Sequence, residues 1–225
     1  MDNFQRFAVY YAPAQGSTLA RAGARWLGWD ADEARACPHP ELGLDLAQIT
    51  QTPRKYGMHG TLKPPMRLSC PQATFFDAVE TLAQELAPLD MGRFVLRPLD
   101  GFLALVTEGQ SQALGDVAAR VVSALDPFRA PLSQAELDRR RVAGLTPHQD
   151  ALLQRWGYPY VMDEFRFHVT LTGRLEPKIM MDTLRAAHAW FDPALEASQT
   201  LDALCIFGEG KDGRFQQVRR VPLRG

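Results

Sequence analysis

Two segments of the chain carry the same arrangement of histidine, threonine and leucine, residue types that can do proton-transfer chemistry. They are His59–Leu62, with the sequence HGTL, and His168–Leu171, with the sequence HVTL. Side chains along a β-strand alternate between its two faces, so each histidine shares a face with the threonine two residues later. The sequence therefore predicts two strands that each present an imidazole and a hydroxyl on one side.

The residues next to each histidine extend these two rows. The alternate positions are mostly apolar and suit a core, which leaves a polar row on the opposite side of each strand. The polar rows consist of Arg166, His168, Thr170 and Thr172 in the second copy and of Gly57, His59, Thr61 and Lys63 in the first. We expect the two rows to face one another across a cleft.

Two histidines with neighbouring hydroxyls and cations suit transfer at a phosphodiester. In-line displacement at phosphorus needs a base on the attacking oxygen, an acid on the leaving oxygen and donors for the non-bridging oxygens. Imidazole can take or give a proton near neutral pH. Thr61 and Thr170, together with Lys63 or Arg166, would supply the donors, so this chemistry requires no metal and no other cofactor.

Hydrophobic periodicity and turn residues predict the elements that hold these rows. Roughly residues 1–109 and 164–225 indicate two halves with strands and helices in similar order, and residues 110–163 indicate a mostly helical insert. Antiparallel hairpins combined with helices are typical of the α+β class. We expect one bilobal domain over residues 1–225, in which each lobe is an antiparallel sheet with helices packed outside and the cleft lies between the lobes.

The composition limits what the chain can bind. With 25 Lys+Arg against 26 Asp+Glu, it has no basic field to attract bulk nucleic acid or an anionic membrane. Cys37, Cys70 and Cys205 are spaced like free thiols of a reducing compartment, and Met1–Arg6 has no signal-peptide pattern. We expect a cytoplasmic protein that holds a small phosphorylated sugar or nucleotide in a local pocket; the oligomeric state is left open.

The flanks of both segments resemble the 2H phosphoesterase superfamily, which includes the LigT-like RNA cyclic phosphodiesterases. Three stretches are similar to the branch of that superfamily named for phosphonate metabolism: Pro53–Pro65, Trp156–Tyr160 and Phe165–Gly173. The resemblance covers nearly the whole chain. It implies a bilobal α+β fold, metal-independent hydrolysis of a cyclic phosphodiester, and functional roles for the histidine and threonine of each segment: His59, Thr61, His168 and Thr170.

The resemblance also implies a substrate, and this chain departs from the branch at two positions. It implies phosphoribosyl 1,2-cyclic phosphate as the substrate, in phosphonate catabolism. Met58 and Gly60 stand where the branch has Phe and Ala. Both positions are on the core-facing side, so the departures concern packing rather than chemistry.

Further ligand contacts are predicted outside the two strands. The run Arg139–Arg141 is typical of a solvated helix face, but the resemblance favours an insert that brings Arg139 or Arg140 to a terminal phosphate, which a guanidinium can bind through two oxygens. Tyr56, and with it Tyr10 and Tyr158, could stack on a ribose or base. The glycine-rich stretch 208–213 opens no helix and indicates a hairpin turn rather than a phosphate loop.

Three other interpretations of the site remain open at the level of sequence. An RNA 2′,3′-cyclic phosphodiesterase would use the same histidines, although a basic and aromatic path for the strand is expected there. A phosphate-binding protein without catalysis would use the same hydroxyls. A metal site is disfavoured because no Cys, Asp or Glu stands at ligand spacing beside either histidine.

Overall fold

The computed structural model describes residues 4–109, 112–142 and 144–225. The start of the chain, Met1–Asn3, and the first two positions of the predicted insert lie outside these ranges. The strands are β1 Phe7–Tyr11, β2 Trp29–Asp30, β3 Arg35–Ala36, β4 Gly60–Met66, β5 Leu89–Asp90, β6 Phe94–Leu99, β7 Phe102–Thr107, β8 Val169–Thr170, β9 Thr200–Leu201, β10 Ala203–Glu209 and β11 Phe215–Pro222. The helices are α1 Thr18–Leu27, α2 Leu46–Ile49, α3 Gln72–Glu85, α4 Gln112–Leu125, α5 Gln134–Arg141, α6 Pro147–Trp156 and α7 Pro177–Leu195, with short 3-10 helices at Pro53–Lys55, Asp126–Phe128 and Met162–Glu164.

Seven strands form one sheet with the order β11-β10-β1-β4-β8-β7-β6, and the neighbouring pairs are antiparallel. The predicted α+β class is confirmed by this combination of antiparallel strands and helices. Strands of the two halves pair at three places, which are β1 with β10, β4 with β8, and β7 with β8. The strands that follow the two histidines, β4 and β8, meet where Gly60 pairs with Val169. The two histidine segments are therefore neighbours at the centre of one sheet and lie side by side. Joining the halves in this way also pairs strand edges that would otherwise be open.

The two faces of the sheet are covered differently. One face packs against α1, α3, α4 and α7 and holds the large core, to which Val9, Leu62 and Val169 contribute. The other face carries a smaller apolar cluster around Tyr10, Phe207 and other aromatic residues. Because Tyr10 pairs with Thr61 across β1 and β4, the polar row of β4 lies on this second face.

Several turns and caps follow the sequence signals directly. Ser17 caps α1 by accepting a hydrogen bond from the Ala20 amide. Asp100 and Gly101 both have positive φ, 44° and 89°, as the two-residue hairpin between β6 and β7 requires. The glycine-rich stretch joins β10 to β11 as the predicted hairpin turn. The three cysteines are free thiols, and no helix described here is long and apolar enough to span a membrane.

Two strands differ from the sequence-based expectation. Pro64 and Pro65 have no amide hydrogen to donate to a neighbouring strand, yet β4 runs through both to Met66. The prolines are tolerated because the register with β1 shifts between Phe7 and Val9, and no β8 residue pairs with this part of β4. The polar row from Arg166 to Thr172 predicts a strand of that length, but only Val169 and Thr170 form one. A one-turn 3-10 helix at Met162–Glu164 precedes it.

Candidate active site

The pairing of β4 with β8 brings the two histidine segments together. The register set by Gly60 and Val169 places His59 across from Thr170 and Thr61 across from His168. Directly opposed residues of an antiparallel pair have Cβ atoms about 4.5–5.5 Å apart and share one face. Each of the four side chains is half-buried and reaches solvent. Two imidazoles and two hydroxyls thus form a compact patch at the middle of the sheet, related by a local twofold.

Both imidazoles are oriented by the same backbone contact. Nδ1 of His59 lies 2.9 Å from the carbonyl oxygen of Gly57, and Nδ1 of His168 lies 2.9 Å from the carbonyl oxygen of Arg166. A carbonyl oxygen only accepts, so Nδ1 carries the proton in each ring and donates to the residue two positions earlier. This arrangement leaves Nε2 of each ring free to take a proton or, in the imidazolium form, to give one.

The surroundings of the two rings differ. The His59 ring contacts the ring of Tyr10 at a centroid distance of 4.2 Å and that of Tyr56 at 5.5 Å. Burial lowers the pKa of His59 to about 4; the hydrogen bond to Gly57 opposes this shift, and the nearby charge of His168 adds to it. His168 has the ring of Phe102 at 5.8 Å, and its hydrogen bond to the backbone lies at the surface. His59 is therefore neutral at neutral pH and suited to accept a proton.

The other residues predicted to contact the substrate differ in packing and exposure. Tyr56 stacks on Phe215 at 5.0 Å while its ring also contacts His59. Arg140 is half-buried on α5 and lies over the ring of Tyr158 at 5.1 Å. Its neighbour Arg139 is exposed.

Arg166 is exposed as well. Its guanidinium donates to the carbonyl oxygens of Asp163 and Phe165, at 2.9 and 2.7 Å. These contacts hold the turn that leads into His168.

Lys63 was predicted to bind substrate, and the structure corrects this. Its side chain is 1% exposed, and its ammonium donates to Asp126 at 2.9 Å and to the carbonyl oxygen of Val122 at 3.0 Å. The cause is a register shift between β1 and β4, where Tyr10 pairs with Thr61 but Val9 pairs with Lys63. Such an irregularity interrupts the alternation of side chains and turns Lys63 away from the histidine row.

Thr172 was also predicted to bind substrate, and this is corrected too. It is 1% exposed, and its hydroxyl accepts a hydrogen bond from the Leu103 amide at 2.9 Å and donates to the Gly173 carbonyl oxygen at 2.8 Å. Both hydrogen-bonding capacities of the hydroxyl are used by backbone groups. Thr172 therefore fixes the end of the β8 segment against β7.

One residue near the site had no signal in the sequence. Arg6 binds Glu209 through two hydrogen bonds of 2.6 Å, and it lies close enough to Tyr10 and Tyr56 to interact with them electrostatically. Its position depends on the pairing of β1 with β10, a contact between the two ends of the chain. Periodicity within either segment does not indicate such a contact.

The arrangement suits proton transfer to two oxygen atoms of one small ligand. Two free Nε2 atoms can serve an attacking and a leaving oxygen, and the two threonine hydroxyls can donate to oxygens that gain charge. Within the described residues, no three His, Cys, Asp or Glu side chains lie together in a way that could hold a metal ion.

Comparison with known proteins finds one family and two curated relatives. The family model described as "Protein of unknown function (DUF1045)" matches residues 61–216. A "Ribose 1,5-bisphosphate phosphokinase PhnN" of Janthinobacterium sp. (strain Marseille) is 37% identical over 245 residues, which cover 100% of this chain and 52% of that protein. A protein of the same name from Laribacter hongkongensis (strain HLHK9) is 34% identical over 223 residues, covering 96% of this chain and 51% of that protein. The chain thus spans about half the length of these two relatives.

Proposed function

This chain belongs to the family of proteins of unknown function called DUF1045, and we propose that it is a 2H phosphoesterase that uses water to open a small cyclic phosphodiester. The proposal rests on one observation: two histidines from separate halves, each with Nδ1 fixed by a backbone carbonyl, present their free Nε2 atoms on one face of the sheet beside two threonines. Transfer at phosphorus needs this combination of base, acid and hydrogen-bond donors, and it needs no metal.

In the proposed reaction, His59 is the base and His168 is the acid. As water attacks phosphorus, its proton passes to Nε2 of the neutral His59. The bond between phosphorus and the leaving ring oxygen breaks, and that oxygen takes a proton from Nε2 of the His168 imidazolium. Thr61 and Thr170 donate to the non-bridging oxygens, where negative charge increases in the transition state. The product is a phosphomonoester with a free hydroxyl, and solvent resets both histidines.

We propose phosphoribosyl 1,2-cyclic phosphate as the substrate, in phosphonate catabolism and in the cytoplasm. When water breaks the bond between phosphorus and O2 of this compound, the product is ribose 1,5-bisphosphate. Ribose 1,5-bisphosphate is also the compound in the names of both relatives. The phosphokinase activity in that name belongs to proteins about twice as long, and ring opening by this chain would supply the substrate of such a kinase.

Product analysis tests this proposal. Purified protein in EDTA is mixed separately with phosphoribosyl 1,2-cyclic phosphate, a 2′,3′-cyclic nucleotide and a short RNA that ends in a 2′,3′-cyclic phosphate, and products are followed by ³¹P NMR. We expect ribose 1,5-bisphosphate from the first and slower turnover of the others. Hydrolysis of the RNA alone would make the chain an RNA-end enzyme. If no substrate is hydrolysed in EDTA and added metal restores hydrolysis, the two-histidine mechanism is wrong.

Removing either histidine should abolish most of the activity. We expect His59→Ala and His168→Ala each to lower kcat by ~10²–10⁴, because each removes a proton-transfer group from a half-buried patch. Steady-state kinetics and thermal unfolding are measured together, and the melting temperature should change little. His188→Ala is the matched control, since His188 is exposed on α7 and paired with Asp192. Full activity in either active-site variant would exclude the proposed role.

A further inference from the structure

A cavity beside the histidine patch contains more positive than negative charge. Its walls include the cations Arg6, Lys63, Arg67, Arg129 and Arg140 and the single acid Glu136. Most of these cations are paired. Arg6 binds Glu209, Arg67 binds Glu136 at 2.8 Å, and Lys63 and Arg129 share the one carboxylate of Asp126 at 2.9 and 2.8 Å.

Arg140 differs from the other cations of this cavity. Within the described residues its guanidinium has no carboxylate partner, and it lies over the ring of Tyr158 at 5.1 Å. It is half-buried, and burial together with the charge of Arg6 lowers its pKa. Desolvating a cation without a carboxylate costs free energy. A bound anion would offset that cost, and a guanidinium can bind two oxygens of a phosphate at once.

Tyr10 links the histidine patch to the wall of this cavity. The ring of Tyr10 contacts His59 at 4.2 Å, and Tyr10 interacts electrostatically with Arg6 and Tyr158, two residues of the cavity wall. The cavity that contains Arg140 is therefore close to the histidine patch.

We propose that Arg140, with the ring of Tyr158, forms a second anion subsite that binds a terminal phosphomonoester of the substrate. The inference rests on the proposed function and assigns a residue to the 5-phosphate of the proposed substrate. The preferred substrate is then a sugar with two phosphoryl groups, a cyclic diester at the histidines and a phosphomonoester at Arg140. A cyclic phosphodiester without the second phosphate would leave the guanidinium unpaired and bind more weakly.

Kinetics with two substrates that differ only in the second phosphate test the subsite. Wild type, Arg140→Gln and the exposed neighbour control Arg139→Gln are compared on ribose 1,2-cyclic phosphate with and without a 5-phosphate. We expect Arg140→Gln to raise KM for the 5-phosphorylated substrate about 10- to 100-fold, with kcat nearly unchanged, because one charged hydrogen-bonding partner is lost. For ribose 1,2-cyclic phosphate without the 5-phosphate, KM and kcat should be the same in all three proteins.

Equal effects of Arg140→Gln on both substrates, or none on either, would overturn the subsite while leaving the phosphodiesterase proposal intact.

Direct binding separates the two proposals if the wild type hydrolyses neither substrate. Titration calorimetry with ribose 5-phosphate should then show binding to wild type and to Arg139→Gln but a loss of affinity in Arg140→Gln. That result would retain the anion subsite while the hydrolytic function fails. Equal affinity in all three proteins would exclude the subsite. Circular dichroism checks that each variant is folded.

Discussion

The two histidines share a backbone contact but differ in the rings around them. His59 packs on Tyr10 and Tyr56, whereas His168 has Phe102 beside it and its hydrogen bond lies at the surface. A symmetric pair could exchange the roles of acid and base. In the proposed mechanism, the burial that lowers the pKa of His59 favours this ring as the base, and His168, whose hydrogen bond lies at the surface, is left as the acid.

The assignment predicts how activity depends on pH. Because burial lowers the pKa of His59 to about 4, the ring stays unprotonated as pH falls below the ordinary histidine range. The acid limb of kcat/KM should therefore lie near pH 4, since only the unprotonated ring accepts the water proton. A pH–rate profile and an NMR titration of the His59 ring measure this. A His59 titration near pH 6.5 would contradict the assignment.

The sequence predicted the placement of some residues of the site correctly and that of Lys63 wrongly, because only some positions depend on local spacing alone. His59, Thr61, His168 and Thr170 share a spacing that alternation along a strand turns into a common face, and the structure brings all four together. Lys63 has the same spacing but lies beyond a register shift, which a sequence does not reveal.

The position of the histidine patch depends on close packing at Gly60 of β4. Gly60 pairs with Val169, and a Cβ at this position would overlap the ring of Phe167, the residue before His168. Met58, the other departure from the resembled branch, packs against Gly23 in the same core. The two departures concern packing, as the sequence indicated.

Gly60→Ala should therefore destabilise the protein and lower its activity. We expect a loss of about 1–3 kcal/mol in the free energy of unfolding, because Phe167 must move away from the added methyl group. Activity should also fall, since that movement shifts the adjacent His168. Gly115→Ala is the matched substitution: it lies in α4 with open space around it, and the higher helix propensity of alanine should stabilise it by about 0.5–1 kcal/mol.

Denaturant unfolding and steady-state kinetics of both variants check this prediction. A Gly60→Ala protein as stable and as active as the wild type would show that Phe167 does not position His168. A destabilised Gly115→Ala protein would indicate that alanine substitution has a cost unrelated to the contact between β4 and β8.

Helices were more predictable than strands for a physical reason. Hydrophobic periodicity and capping residues are local, so a short stretch of sequence is enough to indicate a helix such as α1, which Ser17 caps. Strand limits depend on the partner strand. β4 continues through Pro64–Pro65 because its partner tolerates an irregular register, and β8 is short because it pairs only around Val169.

At the scale of the molecule, a buried ion pair ties the sheet to the predicted helical insert. Lys63 of β4 and Arg129 both bind Asp126, which follows α4 directly. Burial alone would raise the pKa of Asp126, but hydrogen bonds from Arg129 and Lys63 outweigh burial and lower it. The lowered pKa means that this carboxylate stabilises the fold above its ordinary pKa, and the contribution is lost as the pH falls.

Asp126→Asn should accordingly destabilise the whole protein. We expect a loss of about 3 kcal/mol, because removing the carboxylate charge leaves Lys63 buried without a counter-ion. Asp182→Asn is the control, since Asp182 is an exposed partner of Arg185 and should change stability by less than ~0.5 kcal/mol. Urea unfolding at pH 7 measures both. Equal stability of the two variants would mean that the Lys63 network does not hold the insert to the sheet.

The α+β class could be predicted because it depends on the types of element, whereas the arrangement of the sheet could not. Similar order in the two halves indicated related lobes, but it did not indicate that strands of the two halves would be interleaved within one seven-stranded sheet. Pairing between strands so distant in sequence is set by the packed whole rather than by either segment.

His59 and His168 belong to separate halves of the chain and come together where Gly60 pairs with Val169. The smallest part of the chain that could catalyse the proposed reaction therefore contains both halves. A fragment with either half would retain one imidazole and its hydroxyl, enough to contact a phosphate but without the second proton carrier. Division of the chain between its halves would yield two incomplete pieces, and function would return only on their reassociation.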